Sequence, residues 1–132
     1  MLLTEISSNQ ALVANQAIGL SATPALITND NVAINEDNNG LIIKVPGIYK
    51  VSLQLTATSS GTDIGAVLYA NGEEVTMTKA EETFASGDTG EIDITYPVNV
   101  IATEETTQAL VQFYSLYGGT VNAGYVTVER IS

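Results

Sequence analysis

The sequence predicts an all-β chain folded as one antiparallel β-sandwich, and three observations carry that prediction. Over residues 49–57 apolar side chains (Tyr49, Val51, Leu53, Leu55, Ala57) alternate with polar ones (Lys50, Ser52, Gln54, Thr56). A period of two places every apolar member on one face of an extended strand. Turn-forming pairs recur at short intervals, as Asn39-Gly40, Pro46-Gly47, Asn71-Gly72 and Gly118-Gly119, which is the punctuation of hairpins. Residues 92–101 alternate again, with Ile92, Ile94, Tyr96, Val98 and Val100 on one face.

The elements follow in chain order. Residues 10–20 form a moderately apolar run, read as one opening strand, and residues 32–34 form a short one. Residues 41–45 are a compact apolar strand that the Pro46-Gly47 turn separates from the long strand after it. Residues 64–70 are strand-like and end at Asn71-Gly72. Residues 76–85 carry Thr76, Thr78 and Thr83, which weaken a helical pattern, and read as loop with at most one turn. In the 92–101 strand Pro97 lacks a ladder donor, so that strand belongs at a sheet edge or is bulged nearby. Residues 108–117 place Ala109, Val111, Phe113 and Tyr117 on one face and Leu110, Tyr114 and Leu116 on the other. A strand that is apolar on both faces is covered on both sides, so one face enters the core and the other calls for a partner subunit. Residues 124–131 alternate and close the domain. About eight strands with regular turns describe a sandwich or jelly roll, and 132 residues make one domain, residues 1–132.

Composition narrows the function. Four basic residues (Lys44, Lys50, Lys79, Arg130) face fifteen acidic ones, for a net charge of −11. Such a surface repels phosphate, so nucleic acid and anionic membranes are excluded as partners. The pairs Glu73-Glu74, Glu81-Glu82 and Glu104-Glu105 read as solvated loop corners. Charged residues are only 14% of the chain, below the usual quarter of a soluble domain, which favours burial against further copies. With no His and no Cys, nucleophile–His systems and Cys/His zinc sites cannot be built. Paired carboxylates suffice for a glycosidase, but the acids read as solvated and there is no Trp to hold a sugar. The chain is therefore read as no enzyme, with no catalytic residues. The start of the sequence lacks the basic and apolar regions of a signal peptide, and no apolar run has the ~18 residues of a membrane span.

The residues admit one metal reading. Asn35-Glu36-Asp37-Asn38-Asn39-Gly40 resembles a calcium loop, yet Pro46 stands where a bidentate Glu is required. A looser calcium site would use Asp37 or Asp30 with backbone carbonyls, and a polar hairpin turn is the plainer reading.

The segment Pro46-Gly47-Ile48-Tyr49-Lys50-Val51-Ser52 resembles the central strand of the trimeric jelly rolls of the tumour necrosis factor and complement globular-head superfamily. Asn39 to Tyr49 resembles the hairpin that leads into that strand, Ala66 to Val75 a strand ending in an Asn-Gly turn, and Ala123 to Ile131 the terminal strand of the inner sheet. Gln10-Ala11-Leu12-Val13-Ala14-Asn15-Gln16 is similar to the first strand of bacterial and phage members. The chain departs from the family in lacking a Gly-x-y stalk, and Glu104-Glu105-Thr106-Thr107 stands where a Gly-Asp is usual. The resemblance implies a homotrimer, with Tyr114, Leu116, Tyr117 and Tyr125 as interface candidates. It also implies a structural role, as a capsid decoration or head-fibre component of a bacteriophage virion or of a particle assembled in the cytoplasm. Partners would be further copies, other virion proteins or a host surface glycan, and no cofactor is implied. The second function class is a carbohydrate-binding recognition module, for which Tyr117-Gly118-Gly119-Thr120 supplies an aromatic beside turn hydroxyls.

Overall fold

The computed structural model describes residues 1–101 and 108–132, so the Glu104-Glu105 pair lies outside the described residues. Twelve strands and no helix are present among the described residues. One sheet has the order β10 (Thr89–Val100), β7 (Gly47–Ser59), β12 (Gly119–Arg130), β1 (Leu2–Glu5) and β4 (Leu26–Ile27), with β2 (Ala11–Leu12) beside β12. The other has the order β5 (Val32–Ile34), β6 (Leu41–Ile43), β11 (Ala109–Ser115), β8 (Asp63–Ala70) and β9 (Glu73–Thr83), with β3 (Gln16–Ala17) beside β11. All pairings are antiparallel.

The alternation over residues 49–57 works as the sequence predicts. Tyr49, Val51, Leu53, Leu55 and Ala57 point inward and are buried, while Lys50 is exposed and Ser52, Gln54 and Thr56 are half-buried on the outer face. Strand β7 is paired over its length with β10 on one side and β12 on the other. Ile92, Ile94, Val98 and Val100 from β10 and Val121, Val126 and Val128 from β12 join the same core layer. Opposite them, Leu41, Ile43, Ile64, Leu68, Val111 and Phe113 come from the second sheet. The Tyr49 hydroxyl donates to the Val45 carbonyl at 2.8 Å, so the largest buried side chain strands no polar atom. Among the described residues strand β10 pairs only with β7, which puts Pro97 at an edge, one of the two placements expected. Asn71 and Gly72 take φ of 52° and 82°, the positive pair of a two-residue hairpin turn.

Three expectations are corrected. Residues 10–20 are not one strand: β2 joins the first sheet and β3 the second, so this segment crosses between layers. Asn15 makes the corner with φ 64°, a conformation open to Asn because its short side chain tolerates the left-handed region. Residues 76–85 are not loop. They belong largely to β9, where Thr residues suit a strand and a bulge opposite Val67 spoils the period. The pairs Glu73-Glu74 and Glu81-Glu82 accordingly lie on that edge strand rather than at loop corners. Tyr117 does not face inward. Ser115 ends β11 on the buried side, its Oγ donating to the Tyr117 carbonyl at 2.7 Å, and Tyr117 lies beyond the strand. Strands β1 and β4 were not anticipated.

Gln10 secures the crossing segment. Its Nε2 donates to the Ser7 carbonyl (2.9 Å) and the Gly19 carbonyl (2.7 Å), and its Oε1 accepts from the Gly19 N–H at 2.9 Å. The amide thus stands in for a piece of strand ladder where the chain leaves both sheets. Replacing it strands backbone groups that are partly shielded from water, at about 1–3 kcal/mol. Gln10→Ala is expected to lower stability by about that amount in a urea melt with an unchanged slope. Leu53→Asp, which places an unpaired carboxylate at a site 2% exposed, is expected to yield no cooperatively folding protein, since its cost of several kcal/mol rivals total stability. A cooperative melt would mean that Leu53 is not an inward position.

Candidate functional site

With the inward faces spent on the core, what can engage a partner is the two outer faces and the flanks. The outer face of the second sheet is apolar but largely covers itself. Tyr69 and Tyr114 stack at 4.0 Å with an interplanar angle of 21°. Val67, directly opposite Tyr114, turns away from the core yet is only 1% exposed. Leu116 sits against Gly65, where a Cβ would approach its Cδ1 to 3.0 Å. At the end of this row the Tyr117 hydroxyl donates to Glu81 Oε2 at 3.1 Å.

The outer face of the first sheet divides in two. Toward β10 it is polar: Ser52 Oγ meets Thr95 Oγ1 at 3.2 Å, Thr58 Oγ1 meets Thr89 Oγ1 at 3.0 Å, and Thr58 donates to Asn122 Oδ1 at 2.9 Å. Gln54 lies in register between Asp93 and Tyr125. Toward β1 and β4 the face turns apolar and concave. A groove of about 580 Å³ is lined by Met1, Leu3, Ala25, Ala123 and Tyr125, with Glu5, Ser8, Asn122 and Thr127 on its walls. Its floor is low because β12 carries a register shift between Val121 and Ala123, followed by Gly124. A Cβ at Gly124 would lie 2.5 Å from the Gln54 carbonyl and 2.7 Å from Ile6 Cδ1, so only glycine fits this close approach. Tyr125 remains 43% exposed, and Leu26 and Ile27 of the edge strand β4 are exposed as well.

The four interface candidates therefore do not share a surface. Tyr114, Leu116 and Tyr117 lie on the second sheet's side and Tyr125 on the first sheet's outer face. Outer faces of a sandwich point in opposite directions, whereas the two contact faces of a closed three-membered ring are inclined by about 60°. One ring cannot use both. Of the two surfaces, only the groove beside Tyr125 leaves its apolar walls unshielded. Sequence reasoning missed Met1 and Leu3 in the groove and the exposed Leu26 and Ile27 of β4, and nothing in their spacing marks them, because β1 and β4 span four and two residues.

The acidic residues do not converge. Asp37 lies in the β5–β6 turn, which is held by Asn35 Nδ2 donating to Asn39 Oδ1 at 2.7 Å and by the Asn39 N–H donating to Asn35 Oδ1 at 2.9 Å. Asp30 lies on the other side of β5. Among the described residues no three His, Cys, Asp or Glu side chains gather as a metal site would require.

No family model matches the chain, and no curated protein matches its sequence. Its fold is shared with solved structures. The globular domain of zebrafish complement 1qA protein matches 99% of this chain and 96% of its own, with TM-score 0.74 and 9% identity. Eiger TNF from S. frugiperda matches 99% of this chain and 92% of its own, with TM-score 0.64 and 11% identity. The PRD1 vertex protein P5 matches 99% and 96%, with TM-score 0.63 and 11% identity. The architecture is thus the jelly-roll sandwich anticipated from Gly47-Ile48-Tyr49.

Glu81 and Tyr117 give a local readout of the second face. The bond from the Tyr117 hydroxyl to Glu81 raises the phenol above its ordinary 10.0, with partial burial and the charges of Glu81 and Asp63 acting in the same direction. A phenol raised on folding contributes stability that is complete below its unfolded pKa and is lost as pH rises through the folded value. That contribution therefore disappears in alkali, above about pH 10. Glu81→Ala is expected to bring the Tyr117 phenol down toward the ordinary range, as read from the phenolate absorbance that Tyr117→Phe removes, and an unchanged Tyr117 titration would contradict the assignment.

Proposed function

We propose that this chain is a non-enzymatic structural protein that assembles as a homotrimer and serves as a virion component of the capsid decoration or head-fibre kind, acting in assembly or adhesion. The observation that carries the reading is the apolar groove beside Tyr125 on an otherwise polar sheet face. A chain of net charge −11 gains little by exposing such a surface unless another copy covers it. The jelly-roll fold, shared end to end with a complement globular domain and with a vertex protein, supports a recognition or assembly role. The absence of His and Cys from the sequence removes the commonest catalytic groups. No helix among the described residues is long and apolar enough to cross a membrane. The role requires no cofactor, and a loose calcium site at Asp30 or Asp37 is not part of it.

The second reading, recognition of a host glycan, is favoured by one observation: the stacked Tyr69–Tyr114 pair stands on an outer face beside Gln112 and Asn39. Aromatic faces with nearby amides suit neutral sugars. A glycan array probed with the assembled protein separates adhesion from assembly alone.

Light scattering is expected to return three times the 13.9 kDa chain mass, and a single-chain mass would overturn the trimer. The virion role is checked by mass spectrometry of purified particles from the source, in which the protein should be present in regular stoichiometry. Its absence from particles would leave a structural trimer with some other place of work.

A further inference from the structure

Tyr69 and Tyr114 stand on β8 and β11, which are neighbours in the interior of the second sheet. Gln112 lies opposite Tyr69 and Val67 opposite Tyr114, so the two tyrosines are diagonal neighbours on one face, a separation that aromatic side chains bridge. Their ring centroids are 4.0 Å apart and their planes are inclined by 21°, closer than the roughly 4.5–7 Å usual for aromatic pairs. Both residues are half-buried, so the sheet holds the rings while part of each still meets solvent. Among the described residues no other two rings are in contact. Tyr49 is buried with its hydroxyl on the Val45 carbonyl, Tyr117 is bonded to Glu81, and Tyr125 lies on the first sheet's outer face.

The sequence has no Cys, His or Trp. No disulfide can tie its strands, and tyrosine is the side chain left from which a single electron is readily taken. A phenol that loses one electron and its hydroxyl proton becomes a phenoxyl radical, with its spin on the oxygen and on the ring carbons ortho and para to it. The para carbon already carries the side chain, so coupling falls to the ortho carbons. Two such radicals meet face to face before they bond, and the Tyr69–Tyr114 stack holds two rings in that arrangement.

We propose that Tyr69 and Tyr114 are a site of oxidative cross-linking, at which a peroxide joins the two rings as dityrosine and ties β8 to β11. Each phenol gives up one electron and one proton. The O–O bond of hydrogen peroxide breaks and takes up both electrons and both protons, leaving two waters. A carbon–carbon bond then forms between one ortho carbon of each ring, and the hydrogen on each of those carbons moves to oxygen to restore the phenol. The product is short of two hydrogens. It closes a covalent loop through β9 and β10, an edge strand of each sheet, and such a closure restricts the unfolded chain as a disulfide does. The site needs no second copy and stands apart from the assembly proposed above.

Oxidation of the full chain by a haem peroxidase with limiting hydrogen peroxide tests it. Dityrosine fluorescence is expected to appear without doubling of the denatured chain mass. The proteolytic fragments carrying Tyr69 and Tyr114 are expected as one joined species short of two hydrogens. Tyr69→Phe and Tyr114→Phe are each expected to abolish that species and Tyr125→Phe to leave it unchanged, with the β circular dichroism signal as the folding control. Met77, 78% exposed, takes peroxide by the two-electron route to a sulfoxide, which adds an oxygen and is told apart by mass. The joined chain is expected to unfold at a higher urea midpoint than the parent. Dityrosine that forms at other residues, or that persists when either partner is Phe, overturns the site. So does a parent chain that yields none under conditions that couple free tyrosine. An unchanged midpoint in the joined chain overturns its part in tying the strands.

Discussion

The structure depends on one strand being hydrogen-bonded on both sides while every second side chain is sealed from water. Strand β7 meets that demand: β10 and β12 pair with it along its length, and Tyr49, Val51, Leu53, Leu55 and Ala57 form one continuous inward row. A one-residue slip would send that row outward and bring Lys50, Ser52, Gln54 and Thr56 inside. Register is therefore fixed by a large penalty at each alternate position. The neighbours inherit it, because the inward Ile and Val residues of β10 and β12 are placed by the same pairing. The second sheet then has a defined surface to pack against.

Where the two-residue period is interrupted, polar groups do the work of the ladder. Gln10 satisfies Gly19 and Ser7 where the chain crosses between sheets. Thr78 takes up Leu68 and Val75 at the β9 bulge. Thr4, fully buried, donates to the Ser21 carbonyl at 3.1 Å. Among the described residues no buried side-chain polar atom lacks a partner, which is the condition for an irregular β-sandwich to keep a single conformation. These irregularities also shape the surface: the bulge exposes Met77, and the register shift in β12 lowers the groove floor at Gly124.

The surface charge and the groove describe one economy. Carboxylates crowd the β9–β10 side and the loops, and the concave part of the first sheet's outer face carries Glu5 alone among acids at its walls. That concave part is thus the less repulsive half of this sheet face in a chain whose net charge is −11. On the second sheet the Tyr69–Tyr114 stack covers its own apolar face.

The residues alone determined much of the core. A sustained period of two in residues 49–57 and 92–101 can mean only half-buried strands, and Pro97 placed the second of these at an edge or beside a bulge. The lack of His and Cys closed off most catalysis before any geometry was known. What the tertiary structure decided was everything set by partners remote in sequence. Strands of two to four residues such as β1 and β4 have no period to detect, and they exist because Leu2 pairs with Val128 on one side and Ile27 on the other. The same holds for β9, where a bulge breaks the alternation, and for residues 10–20, whose two halves join different sheets. For Tyr114, Leu116, Tyr117 and Tyr125 the sequence could not say which faces they occupy. Which side a strand presents to solvent is fixed only when both of its neighbours are in place, and for Tyr125 those neighbours are Gln54 and Glu5, 71 and 120 positions away along the chain.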